Sequence, residues 1–330
     1  MRIVMMGTGT FAEPTFEALL QAFGPEVVGL VTQPDRDAGH KRGSTRQTGT
    51  GMATIASRHG IPVHQPDRIN TPEGLAQLRA WRPDLLVVAA YGQILSTDVL
   101  AIPTSGTINV HASLLPKYRG AAPVAYAILA GDKQTGVTII KVTPGLDSGD
   151  MLLQEAIDIQ PDDTTGTLEA RLAQLGAKLA VEAVRKYQAG APVAGVKQDP
   201  TLVTKAPKIK KEFGLIDWTK PADFLERFVR AMQPWPTAYT FLHRPGKPPL
   251  RVIVTRAVVR GRRDPADPQP PPVPGRVWSH KSMLFVDTDG GDVLQIRELQ
   301  PAGKKPLTAE EFLRGYPVAE GMRFGSDQLP

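Results

Sequence analysis

With 330 residues, 41% hydrophobic and 22% charged, and no cysteine, the chain can bury the cores of two domains, and it excludes a disulfide framework, a thiolate metal site and a cysteine nucleophile. Its formal charge of +6 is unevenly placed: residues 1–205 carry 19 Lys and Arg against 19 Asp and Glu, and residues 206–330 carry 20 against 14, which points to a polyanionic partner for the last third. The longest apolar runs are strand-length and MRIVMMGTG enters a strand directly, so neither a membrane span nor a signal segment is expected and a cytoplasmic protein is the default.

Residues 2–7 read as a buried strand, followed by GTGTFAEP and a helix with Phe16, Leu19 and Leu20 on its apolar face. Gly7 and Gly9 begin a dinucleotide-type fingerprint that Phe11 and Ala12 do not complete, so the segment reads as a tight strand-to-helix turn. A second strand, 27–32, leads into the polar loop PDRDAGHKRGSTRQTGTG, where Arg36, Lys41, Arg42 and Arg46 make a phosphate-seeking arm as plausible as a solvated loop. A helix over 52–59, a strand at 61–63, a helix over 72–81 and a strand over 85–90 follow. This alternation predicts a parallel sheet with helices on both faces and a ligand beyond the carboxyl ends of the strands, where Tyr91 and Gly92 fall.

The stretch from Thr107 to Gly149 concentrates the polar chemistry. As a strand it sets Thr107, Asn109 and His111 on one face and Ile108, Val110 and Ala112 on the other, and Asp147 follows in the loop PGLDSG. Next come a strand over 151–160 and a long helix over 167–187 whose leucine stripe is core packing. The proline-, glycine- and lysine-rich segment 191–211 reads as a linker between a domain at 1–190 and one at 212–330, with Lys208, Lys210 and Lys211 clustered at its end. The second domain opens with a helix over 221–232 and continues in five or so short strands, which suggests a small barrel.

An amide, an imidazole and a carboxylate without a nucleophile elbow fit direct acyl transfer. Asn109 and His111 can donate to a developing oxyanion, His111 can move a proton, and Asp147 can orient it, so no covalent enzyme intermediate is needed. Metal binding is poorly supported, since His111 has no second histidine at helical spacing. Taken alone, Asn109 and His111 read equally well as satisfied buried polar groups, and Arg119 as an anchor reaching a carboxylate.

NVHASLLPKYRGAAPVAYAI followed by TGVTIIKVTPGLDSGDML resembles the folate-dependent formyltransferase family, whose members move a formyl group from 10-formyltetrahydrofolate to an amine. LVTQPDR, VVAAYGQIL and KIKKEFGLIDWTKPADFLERFVRAMQPWPTAYTFL extend the likeness to about residues 2–313 and point to its tRNA-acting branch. The resemblance implies an α/β enzyme with a Rossmann-like parallel sheet and a smaller, OB-like β-barrel. It implies 10-formyltetrahydrofolate as formyl donor, methionine on initiator tRNA as acceptor, a product used in translation initiation, no metal, and a monomer. It also implies catalytic roles for Asn109, His111 and Asp147, folate contacts from Ser113, Leu114, Leu115 and Pro116, and a pteridine pocket walled by Tyr91, Gly92 and Ile94. For tRNA it implies Arg36, Lys41, Arg42 and Arg46, with Lys208, Lys210 and Lys211 behind them. Arg42 best matches the loop's key arginine, but GSTRQTGTGMAT departs from the family's serine-proline-valine-lysine segment and leaves Lys41 and Arg46 as alternatives. A formyltransferase acting on an amino sugar or purine precursor, a deformylating hydrolase and a non-enzymatic RNA-binding protein remain rivals, separable by their formyl acceptors.

Overall fold

The structure, a computed structural model, describes residues 1–34, 49–190, 194–262 and 272–328. The chain forms two compact units, Met1–Ala127 with Asp132–Lys208, and Ile128–Gly131 with Ile209–Pro330.

The first unit runs β1 (Ile3–Gly7), α1 (Glu13–Phe23), β2 (Val27–Val31), α2 (Met52–Arg58), β3 (Val63–His64), α3 (Pro72–Trp81), β4 (Leu85–Ala89), α4 (Thr97–Leu100), β5 (Gly106–His111), β6 (Arg119–Gly120), α5 (Pro123–Ala130, whose last turn belongs to the second unit), β7 (Gln134–Lys141), β8 (Met151–Asp158), α6 (Thr165–Gln188) and β9 (Lys205–Ala206). Seven strands make one sheet in the order β3-β2-β1-β4-β5-β7-β8. All five residues of β1 and of β4 are buried, as central parallel strands covered on both faces require. Gly7 suits the first turn because a Cβ there would stand 2.7 Å from the Cβ of Ala12 and 2.9 Å from the carbonyl of Ala89. Val4, Met6, Leu86 and Val88 pack against Leu78 and Trp81 of α3 and Val99 of α4. Val110 and Val137, on the opposite face, lie under Gly176 of α6.

The expectation of a parallel sheet holds through β5. Beyond it, β7 runs antiparallel to β5 and β8 antiparallel to β7. A single loop of residues 142–150 joins β7 to β8, and such a short connection can only reverse the chain. The alternation of half-buried and exposed residues along β8 is that of an edge strand with one face toward solvent. Because β7 is antiparallel, Lys141 lies opposite Ile108 near the start of β5, and the loop must turn back before Asp147 can reach His111.

The described part of the expected linker is ordered against the first unit. Val196 exchanges two backbone hydrogen bonds of 2.8 Å with Met151, and β9 pairs with β6.

The second unit holds α7 (Ala222–Ala231), β10 (Ala238–Arg244), β11 (Lys247–Arg262), β12 (Val277–His280), β13 (Met283–Asp287), β14 (Asp292–Pro301), β15 (Leu307–Thr308), α8 (Ala309–Gly315) and β16 (Arg323–Gly325). The antiparallel order is β12-β13-β14-β11-β10-β16, with β15 on β14. An antiparallel bridge between Arg276 and Arg323, with Phe324 N–H donating to the Gly275 carbonyl at 2.7 Å, brings the two edges together and curls the sheet into a barrel. Inside, Trp218 stacks on Phe324 at 5.5 Å, and the fully buried Asp287 carboxylate accepts from Arg276 Nε at 2.8 Å and Trp278 Nε1 at 2.9 Å.

Candidate active site

Register sets the polar face of β5. Thr107 lies beside Leu86 and Asn109 beside Val88, so the polar residues continue the face that α3 and α4 cover over β1 and β4. At His111 the loops after β5 and after β7 close in through Tyr118 and Asp147. Asn109 is half-buried, and its side-chain amide makes no hydrogen bond among the described residues.

His111, 5% exposed, donates from Nε2 to the carbonyl oxygen of Tyr118 at 3.0 Å. A carbonyl can only accept, so the hydrogen stays on Nε2 and Nδ1 is the nitrogen that can take up or release a proton. Nδ1 stands 3.6 Å from Oδ2 of Asp147, within ion-pair range and longer than a hydrogen bond. The same Oδ2 accepts the N–H of Gly120 at 2.9 Å. Asp147 sits at φ +46°, in the left-handed region that costs a residue other than glycine about 1 kcal/mol or more, so its conformation needs outside support.

That support is a web of hydrogen bonds. Tyr118, at φ +62°, donates its N–H to Thr204 Oγ1 at 2.8 Å and its phenol to Asp132 at 2.8 Å. Burial first, then the Asp132 carboxylate, push that phenol's pKa up, so it remains a donor. Arg119 reaches an amide, not the carboxylate expected from sequence: its Nε and Nη2 donate to Gln198 Oε1 at 2.9 and 2.8 Å. Gln198 Nε2 in turn donates to the carbonyls of Asp147 and Gly149, both at 2.8 Å. Sequence reasoning missed Gln198 and Thr204, because both lie in the segment read as a linker and carry no pattern of their own.

The residues expected to meet folate divide. Ser113 is fully buried and donates from Oγ to the Lys117 carbonyl at 2.6 Å. Leu115 is buried too, its N–H donating to Thr138 Oγ1 at 3.1 Å and its carbonyl accepting from Gln154 at 2.9 Å. These two shape the loop from within, and Leu114 and Pro116 are half-buried beside them. Tyr91, 2% exposed, is a core residue among Val4, Met6, Leu95 and Val99, and its buried hydroxyl has no hydrogen-bond partner among the described residues. Burial pushes that phenol's pKa up. What reaches the surface here is Gly92, at φ +81°, and Ile94, 78% exposed. Both follow β4 at the end of the sheet where His111 ends β5.

Lys208, Lys210 and Lys211 are exposed around the buried Ile209 and form no ion pair among the described residues. Arg36, Lys41, Arg42 and Arg46 lie outside the described residues. No group of three His, Asp or Glu that could hold a metal occurs among the described residues. A surface cleft lined by Arg2, Arg82, Asp84 and Thr104 opens at the amino-terminal ends of β1, β4 and β5, away from His111.

Comparison with known proteins gives this geometry a context. Residues 1–184 match the family model described as formyl transferase, and residues 208–317 match that of the formyl transferase C-terminal domain. The methionyl-tRNA formyltransferase of Acidithiobacillus ferrooxidans is 48% identical over 316 residues, covering 96% of each chain. That of Magnetococcus marinus is 44% identical over 327 residues, covering 98% of each. Among solved structures, the N-formyltransferase from Helicobacter canadensis in complex with folinic acid and dTDP-3-aminofucose superposes with a TM-score of 0.64 at 15% identity, covering 90% of this chain and 98% of that one, a likeness of fold alone. With both family models matched in order along the chain, and relatives of nearly equal length at this identity, the chain belongs to the formyl transferase family.

Proposed function

We propose that this protein transfers the formyl group of 10-formyltetrahydrofolate to the amino group of methionine carried on initiator tRNA, giving formylmethionyl-tRNA for translation initiation. The observation that carries the reading is that His111, with Asp147 3.6 Å from its Nδ1, shares one face of β5 with Asn109, whose amide makes no hydrogen bond among the described residues. The full-length likeness to methionyl-tRNA formyltransferases supports the choice of acceptor.

The residues fit a folate donor, because Ile94 offers bare apolar surface and Gly92 an open backbone beside the polar end of β5. Gly92, Ile94, Leu114 and Pro116 would hold it, and Tyr91, Ser113 and Leu115 keep that wall in shape. When bound, the donor supplies an activated formyl group. Asn109 offers its amide hydrogens to the oxygen that gains negative charge as an amine adds to a formyl carbon. His111 accepts the amine's proton at Nδ1 and returns it to the departing nitrogen, while the Tyr118 carbonyl holds Nε2–H throughout. Asp147 balances the charge that His111 gains. Ser113 cannot serve as a nucleophile, since it is buried and its hydroxyl is engaged by Lys117, so transfer is direct.

Lys208, Lys210 and Lys211 contact tRNA phosphates, and Arg36, Lys41, Arg42 and Arg46 contribute to choosing the tRNA. The protein works as a cytoplasmic monomer; among the described residues no helix is long and apolar enough to cross a membrane. Incubation with 10-formyltetrahydrofolate and methionine-charged initiator or elongator tRNA tests the reading. Formylated initiator methionine is the expected product, whereas formate release without an acceptor, or transfer to an amino sugar alone, would overturn it.

A further inference from the structure

We propose that Gln198 is a positioning residue for formyl transfer, holding Asp147 toward His111 from the segment of the first unit that follows α6. The inference rests on the reading of Asp147 as the partner of His111.

The loop that bears Asp147 starts at the wrong end of β5 for its task. Val142 N–H donates to the carbonyl of Thr107 at 2.8 Å, so the loop departs from the strand's beginning and must fold back along it. Asp147 then takes a left-handed backbone, and its carboxylate has one backbone donor among the described residues, Gly120. Gln198 supplies what the loop lacks. Its amide gives one hydrogen to the carbonyl of Asp147 and one to that of Gly149, bracketing the turn, while both lone pairs of its oxygen are taken by Arg119. All four hydrogen-bonding positions of the side chain are thereby used. Arg119 belongs to the loop that holds His111, because its neighbour Tyr118 accepts Nε2–H. Gln198 therefore ties the loop that holds His111 to the loop that carries Asp147.

The surrounding strand pairs keep Gln198 in place. Val196 is hydrogen-bonded on both sides to Met151, and after Gln198 the chain pairs at Lys205 and Ala206 with Arg119 and Gly120. A Cβ on Gly120, at φ +127°, would stand 2.5 Å from the carbonyl of Ala206, so the strap lies directly against the residue whose N–H holds Asp147. Gln198 reaches two backbone carbonyls and the Arg119 guanidinium, and not the side chains of Asn109, His111 or Asp147, which makes it a positioning residue and not a catalytic one.

Two variants test this in the full-length protein, Gln198→Leu, which removes every bond, and Gln198→Glu, which keeps the grip on Arg119 but turns acceptors toward the two carbonyls. Each is expected to lower kcat about tenfold to a hundredfold while KM for 10-formyltetrahydrofolate and for methionyl-tRNA stays within about twofold. In the free protein, amide exchange at Gly120 should speed up about tenfold while Val196 and Met151 keep their protection, a reading that needs no turnover. Added to Asp147→Asn, Gln198→Leu should slow the enzyme by less than about threefold more, since both act through one carboxylate. Should the leucine variant not fold, the glutamate variant carries the same measurements. Wild-type kcat in either folded variant, a raised KM with kcat kept, unchanged Gly120 exchange, or full additivity with Asp147→Asn would overturn the assignment of Gln198 alone. Wild-type turnover by Asp147→Asn would instead remove the reading of Asp147 itself, and this inference with it.

Discussion

The corner around Asn109, His111 and Asp147 and the lysine run at residues 208–211 are built on opposite plans. At the corner, His111, Tyr118, Arg119 and Asp147 are each held by a hydrogen bond from or to a neighbour, and most of those partners are neutral. In the run, three lysines stand in solvent without an ion pair among the described residues. Groups that must meet a reacting centre within a fraction of an ångström gain from a stiff surround, because misplacement costs rate. Charges that track a phosphate backbone gain from mobility, because their work is affinity released from counterions and is not bound to one geometry. Within the corner the exception is Asn109, proposed above to meet the substrate's oxygen, whose amide makes no hydrogen bond among the described residues.

This contrast can be broken at several points. Asn109→Ala should cost about two to three orders of magnitude in kcat with tRNA affinity unchanged, as for loss of one oxyanion donor; single-turnover formylation with a separate tRNA-binding assay decides it, and lost affinity would mean that the corner also binds. Replacing Lys208, Lys210 and Lys211 together by Gln should weaken tRNA binding about tenfold to a hundredfold. In a salt titration the slope of log K against log salt should flatten by about two to three, with kcat at saturation kept. An unchanged slope would move the phosphate contacts elsewhere. Gly120→Ala should destabilise the first unit by about 1–3 kcal/mol in urea unfolding, since its Cβ meets the Ala206 carbonyl in a backbone conformation that disfavours it. A neutral result would show that the strap can part from the loop at little cost.

The smallest effect is expected at the other end of the sheet. Asp84 accepts the N–H of Arg2 at 2.7 Å and the hydroxyl of Thr104 at 2.8 Å, and these bonds, the first most, hold its carboxyl below the ordinary range. A depressed carboxyl stabilises the fold above its unfolded value, near pH 4, and that contribution fades as the pH falls through its native value. Asp84→Asn should therefore lower stability by less than about 1 kcal/mol at neutral pH, with the difference vanishing in acid and formylation unaffected.

The local terms were legible along the chain. Alternation along residues 107–111 put Asn109 and His111 on one face, unbroken apolar runs made β1 and β4 central strands, and the charge count singled out the last third. What depended on distant pairings emerged with the folded chain alone. The reversal of β7 and β8, the closure of the barrel by the three-residue β16, and the burial of the Tyr91 ring leave no periodic signal in so few residues. Gln198 is the clearest case, since its partners lie 49 to 79 positions away and composition marks its surroundings as a linker. Side-chain period is a property of neighbours along the chain, whereas a hydrogen bond between loops exists only once the sheet has brought their ends together.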